Sequence, residues 1–159
     1  MATEFKVFSW QDVERIVDML VEKIGASGFK PDLVIGITMG GLVPLALVAK
    51  KLGVKDVDTI SVFSYDKDQQ KELKILRLPR INGRGKKILV VDEIADTGRT
   101  LKAIMETAEN QWGADELKVA TFVVKKETSA IIPDFYAIEG GGEFIIFPWE
   151  RDEFPEHFR

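Results

Sequence analysis

Cysteine is absent from the 159 residues, which excludes a disulfide framework, a thiolate metal site, an iron–sulfur cluster and a thiol nucleophile. Histidine is nearly so. His157 is the only one, so neither a multi-histidine metal centre nor a mid-chain Ser-His-Asp triad can be assembled. No run of about 18 apolar residues occurs, so no helical membrane span is expected. Met1 to Lys6 lacks a basic start followed by an apolar stretch, so it does not read as a secretory signal. Neither sign of charge dominates: 22 Lys and Arg face 26 Asp and Glu, for a net charge of −4. That balance argues against non-specific nucleic-acid binding. Internal repeats and low-complexity tracts are also missing. These absences point to a cytoplasmic protein with one domain over residues 1–159, large enough to build a core without cross-links.

The elements that are present alternate in type. Ser9 with Asp12 three residues on reads as a helix start, and Val13, Ile16, Val17, Leu20, Val21 and Ile24 recur at helical spacing. Gly25 and Gly28 end that helix. Asp32 to Ile37 is a short apolar run fit for a buried parallel strand. Gly40 and Gly41 then open a helix from Leu42 to Leu52, with Pro44 in its first turn. Asp58 to Phe63 reads as a strand. Residues 64–87 form a long polar stretch, with little helical or strand pattern after Leu78. Ile88 to Val91 is the strongest strand, Thr100 to Glu109 a helix and Val119 to Val124 a strand. Shorter extended pieces are expected at 135–138 and 144–147. Strands alternating with helices predict an α/β fold with a parallel sheet covered on both faces.

Chemistry concentrates where the strongest strand ends, in Val90-Val91-Asp92-Glu93-Ile94-Ala95-Asp96-Thr97-Gly98-Arg99-Thr100. Ligands of open α/β sheets bind beyond the carboxyl ends of strands. Gly98 allows close backbone approach, Thr97 and Thr100 carry hydroxyls, and a helix N-terminus presents unpaired N–H groups. A phosphate cradle beside two carboxylates suits a sugar phosphate, with the acids on ribose hydroxyls or on Mg²⁺. Taken alone, the acid pair could simply solubilise a strand end, and Asp96 or Thr97 could simply cap a helix. The ordered combination of strand, acid pair, second acid and D-T-G-x-T favours the phosphate site. The P-loop and the G-x-G-x-x-G fingerprint are both absent.

This stretch resembles the phosphoribosyl diphosphate signature of type I phosphoribosyltransferases. Ile37-Thr38-Met39-Gly40-Gly41-Leu42-Val43-Pro44 is similar to the family's diphosphate loop. Ser64 to Lys74 resembles the mobile loop of bacterial xanthine–guanine phosphoribosyltransferases, and Phe144-Ile145-Ile146-Phe147-Pro148-Trp149-Glu150 resembles their purine-pocket segment. The resemblance implies a mainly parallel sheet flanked by helices, with a small hood from the C-terminal segment. It also implies transfer of a phosphoribosyl group from phosphoribosyl diphosphate to a 6-oxopurine in purine salvage, dependence on Mg²⁺, and a homodimer or homotetramer.

Residue roles follow from the same resemblance. Asp92 and Glu93 would bind the ribose and Mg²⁺, directly or through water. Asp96 would be the general base. Ala95, Asp96, Thr97, Gly98, Arg99 and Thr100 would hold the ribose and its 5′-phosphate, and Thr38, Met39, Gly40 and Gly41 the diphosphate. Ser64 and Tyr65 would close over the reacting centre, and a surplus of Lys and Arg from Lys67 to Lys87 would make the lid positive. Lys125, with Lys126 as the alternative one position on, would read the purine's exocyclic oxygen. Phe144 would stack on the base, Ile145 would offer it backbone atoms, and Glu150 would reach the 2-position. Two positions depart from the family pattern. Met39 stands where relatives often carry a basic residue, and Glu93 stands where many carry aspartate, giving it a longer reach. A non-catalytic regulator that binds phosphoribosyl diphosphate or nucleotides, or a transferase for another base, is the competing reading.

Overall fold

The computed structural model describes residues 2–67 and 70–159. Its chain order is β1 (Phe5–Val7), α1 (Trp10–Ala26), β2 (Leu33–Ile37), α2 (Leu42–Leu52), β3 (Val57–Lys67), β4 (Gln70–Arg77), β5 (Lys87–Ala95), α3 (Arg99–Trp112), β6 (Glu116–Val124), β7 (Phe135–Glu139) and β8 (Phe144–Ile146), then two 3₁₀ turns at Pro148–Glu150 and Pro155–Phe158. Six strands form the main sheet in the order β4-β3-β2-β5-β6-β7. All neighbours are parallel except the β3–β4 hairpin. This is the α/β architecture that the alternation predicts.

Strand alternation explains the layers. In β5, Leu89 and Val91 point to the face covered by α1 and α2, while Ile88 and Val90 point to the face covered by α3. β2 is buried on both faces along its whole length, as its unbroken aliphatic run requires. Burying each such Leu or Ile contributes about 1.5–3 kcal/mol. The exposed ion pairs Arg15–Asp12 and Lys51–Asp18 are worth about 0–1 kcal/mol each, so the two core faces decide stability.

The helix start at Ser9 forms a capping box with Asp12, as its sequence pattern predicts: the Asp12 N–H donates to Ser9 Oγ at 3.1 Å and the Ser9 N–H to Asp12 Oδ2 at 2.8 Å.

Three differences from the sequence reading stand out. The strand at Asp58–Phe63 runs on to Lys67 and pairs with β4, so Ser64 to Lys74 lies largely in a β-hairpin rather than a loop. Of the expected basic lid, Asp68 and the side chains of residues 66–71 lie outside the described residues. After Leu78 the chain is irregular, yet it is anchored: Trp112 Nε1 donates to the Pro79 carbonyl at 3.0 Å, and the Gly83 N–H to the Trp112 carbonyl at 2.8 Å. The hood is also built from both ends of the chain, because β1 pairs in parallel with β8, Phe5 opposite Phe144. Three residues are too short a run to register as a strand in the sequence. No helix of the described residues is long and apolar enough to cross a membrane.

Candidate active site

β2 and β5 lie side by side, and the chain leaves them in opposite directions across the sheet. That reversal opens a crevice at their carboxyl ends, the place where open α/β sheets bind ligands. A cavity of about 250 Å³ occupies it, lined by Thr38 and Gly40 after β2 and by Asp92, Glu93, Asp96, Thr97, Gly98 and Thr100 around the end of β5. The two motifs thus converge on one cleft.

The helices facing the cleft differ from α1 in one telling way. α2 and α3 begin at Gly41 and Gly98, neither of which offers a side-chain cap. The first-turn N–H groups of α3 are therefore open to an anion, whereas in α1 Ser9 Oγ takes the Asp12 N–H, and in α2 the Leu42 N–H donates to the Met39 carbonyl at 3.1 Å and Pro44 has none. Asp96 and Thr97 do not cap α3. Gly98 adopts φ +68°, and a Cβ there would lie 2.3 Å from Ser129 Oγ and 2.9 Å from the Ala130 nitrogen. Only glycine meets both demands.

The acid pair divides between the faces of β5. Asp92 continues the Ile88 and Val90 side, and Glu93 the Leu89 and Val91 side, yet both reach the cavity. Burial pushes the Asp92 carboxyl from 3.8 up to about 7, although part of the residue faces the cleft and the Glu93 N–H donates to its Oδ1 at 2.8 Å. Burial, then the neighbouring Asp92 and Glu150 carboxylates, pushes Glu93 from 4.5 up to about 8. Both groups bind protons more tightly in the folded than in the unfolded chain. Their contribution to stability is therefore full below pH 4 and lost as pH rises through about 7 and about 8. In Mg²⁺-free buffer, raising the pH from about 5 to about 8 should lower Tm more in the wild type than in Asp92→Asn, at about 2–4 °C per kcal/mol. Parallel melting curves for the two proteins would remove the acid pair as the cause.

Asp96 sits at the mouth of the cleft with its carboxylate engaged. Lys125, buried at the end of β6, places Nζ 3.1 Å from Asp96 Oδ2. Lys126 turns away and pairs with Glu139 at 2.9 Å, so of the two lysines only Lys125 joins the site. Thr128 Oγ1 donates to the Asp96 carbonyl at 3.0 Å, and the Ala130 N–H to the Thr97 carbonyl at 2.7 Å. The turn after β6 thereby clamps the phosphate loop. Thr128 and Ser129 escape the sequence reading because a polar turn after a strand carries no signal of what it will touch.

Lys125 Cγ and Ile145 Cδ1 both lie against Gly140, at 3.5 Å and 3.4 Å from where its Cβ would be. The lysine thus borders the hood. Phe144 is 42% exposed and meets Phe5 and Phe154 edge-on at 5.7 Å and 5.5 Å, which leaves ring surface free for stacking. Glu150 is committed locally: its Oε2 accepts from the Phe147 N–H at 2.7 Å. A second cavity of about 370 Å³ adjoins the first, lined by Met39, Leu42, Val43, Glu93, Trp149 and Glu150 among others. Met39 projects into solvent at 78% exposure. Ser64 and Arg99 lie together in a neighbouring recess with Thr97 and Thr100. Tyr65 is not brought to the cleft. It stacks on Phe63, and its hydroxyl donates to Glu72 at 2.8 Å.

Comparison with known proteins finds the phosphoribosyl transferase domain over residues 6–151. Among solved structures, a purine phosphoribosyltransferase from Pyrococcus horikoshii is 29% identical, with a TM-score of 0.81 over 91% of this chain and 93% of that one. A hypothetical protein from Neisseria gonorrhoeae with bound ppGpp is 26% identical, with a TM-score of 0.85 over 100% of this chain and 96% of that one. The xanthine-guanine-hypoxanthine phosphoribosyltransferase of Helicobacter pylori shares the fold at 24% identity and a TM-score of 0.85, covering 98% of this chain and 100% of that one.

Proposed function

Because the chain belongs to the phosphoribosyl transferase domain family, we propose that it transfers the 5-phosphoribosyl group of phosphoribosyl diphosphate to a 6-oxopurine, namely guanine, xanthine or hypoxanthine. One observation carries the choice of base. The buried Lys125 ammonium stands beside Asp96 at the edge of the hood, a donor next to an acceptor where the base would lie. A lysine has three N–H groups and no acceptor, so with one on Asp96 two remain for a purine carbonyl. Adenine would offer an amino group there, donor against donor.

In the reaction a ring nitrogen attacks C1′ of the ribose, the bond from C1′ to the diphosphate oxygen breaks, and the nitrogen's proton passes to the Asp96 carboxylate. The developing charge on the leaving diphosphate is met by the Thr38–Gly41 loop, whose Thr38 and Gly40 line the cleft. The uncapped start of α3 holds the 5′-phosphate. Phe144 stacks on the base, and the hood limits water at C1′. The Asp92 and Glu93 carboxylates line the same cleft as Thr38 and Asp96, and such hard oxygen donors suit Mg²⁺. Bound there, the ion would supply charge neutralisation on the diphosphate and orient the ribose hydroxyls. The family's homodimeric or homotetrameric assembly is part of the same reading.

Competition between mononucleotides and phosphoribosyl diphosphate tests this assignment. The monophosphates of guanosine, inosine or xanthosine should compete at least about tenfold better than adenosine monophosphate, a gap of about 1.4 kcal/mol. Equal competition by all four would remove Lys125 as a base reader. A nucleotide-binding regulator is the second reading, favoured by the Neisseria protein's bound ppGpp and by Met39, whose thioether cannot pair with diphosphate.

A further inference from the structure

Glu93 is the position at which the acid pair departs from the family pattern, and its surroundings give the extra methylene a use. Trp149 Nε1 donates to Glu93 Oε2 at 2.9 Å. The indole cannot readily rotate. It stacks on Phe147 at 4.7 Å with an interplanar angle of 5°, and it packs against Phe122 and Trp10 at 6.3 Å and 6.0 Å. Phe147 and Phe122 are themselves buried in the core. On the other side the carboxylate presses on the diphosphate loop, since a Cβ on Gly40 would lie 2.4 Å from Glu93 Cδ. One carboxylate therefore touches the indole of the hood and the backbone of the anion loop.

We propose that Trp149 is a positioning residue, whose indole N–H fixes the Glu93 carboxylate against Gly40 and so ties the hood to the diphosphate loop. An aspartate at position 93 would be shorter by one C–C bond, about 1.5 Å. It would fall outside hydrogen-bond distance of the indole. Without the indole N–H, the Glu93 carboxyl is no longer held against Gly40, and the diphosphate loop loses the contact that sets the position of its backbone. This coupling rests on the diphosphate-binding reading of the Thr38–Gly41 loop, but not on which base is accepted.

The test uses Trp149→Phe, which keeps an aromatic ring on Phe147 and removes only the donor, together with Glu93→Asp and the double variant. Calorimetric Kd for inorganic diphosphate with Mg²⁺ is measured for each, along with kcat and KM for phosphoribosyl diphosphate. The expected result is a rise in Kd and KM of about tenfold, the worth of one hydrogen bond to a charged group. The change in kcat should be much smaller, and the double variant no worse than either single one. Glu93→Gln, whose side-chain carbonyl still accepts from the indole, should weaken diphosphate binding less than Glu93→Asp. Unchanged Kd in Trp149→Phe, even with a lowered Tm, would reduce the indole to packing and overturn the proposal. Multiplying losses in the double variant would do the same. If Trp149→Phe does not fold, wild-type Kd in Glu93→Asp is the overturning result. Diphosphate binding is read without any base, so failure of the 6-oxopurine assignment and failure of this coupling are distinguishable.

Discussion

Asp96→Asn should lower kcat by about 10²–10⁴, the usual worth of a positioned general base, while the Kd for phosphoribosyl diphosphate changes far less. The substitution is nearly isosteric, and the amide oxygen can still accept from Lys125 Nζ, which lies 3.1 Å from Oδ2 in the wild type. The Thr128 hydroxyl donates to the Asp96 carbonyl at 3.0 Å and reaches the carboxylate Oδ1 only at 3.4 Å, so its main bond survives the substitution. What the amide cannot do is take a proton from the purine nitrogen as the bond to C1′ forms. The loss therefore belongs in turnover rather than in binding. Equal losses in kcat and in phosphoribosyl diphosphate affinity would remove Asp96 from the proton transfer and leave it as a loop residue.

Lys125→Met should lower kcat/KM for guanine and hypoxanthine by about 10²–10³, since a buried hydrogen-bonded charge is removed from a site built around it. The methionine stem preserves the packing beside Gly140, so the effect falls on recognition rather than on the hood. Two things are lost together. The purine's exocyclic oxygen loses its donor, and Asp96 loses the ammonium beside it. Activity with adenine, which the proposed reading expects to be low at the outset, should fall less, so the expected preference for 6-oxopurines should narrow. A parallel fall for every base would mean that Lys125 serves Asp96 alone. Lys126, paired with Glu139 on the far side, provides the control: Lys126→Met should leave the base preference unchanged.

The sequence made some parts of this molecule legible and hid others for physical reasons. The aliphatic run at 88–91 and the acids, threonines and glycine that follow it are local, so their order alone located the strand, the cleft and the uncapped helix start. Gly98 shows the boundary. Its place in the D-T-G-x-T motif was readable, but its collision with Ser129 depends on a turn about thirty residues away. The hood was half visible. Phe144 to Glu150 carried the pattern, whereas Phe5 to Val7 is only three residues and becomes a strand by pairing with β8. Ser64 and Tyr65 read as a loop because their polar surroundings mask the alternation of β3, and only pairing with β4 reveals the hairpin. The Trp149–Glu93 bond was beyond reach, since two residues 56 apart meet only once the hood closes over the sheet.

The central claim is that this cleft makes a purine mononucleotide. Its most direct measurement is product formation from phosphoribosyl diphosphate and Mg²⁺ with guanine, xanthine, hypoxanthine and adenine supplied one at a time. The account predicts mononucleotide, with one diphosphate released per base consumed, from at least one of the first three and little or none from adenine. No product from any base, together with saturable binding of phosphoribosyl diphosphate, would contradict it and leave a regulator built on an enzyme's fold.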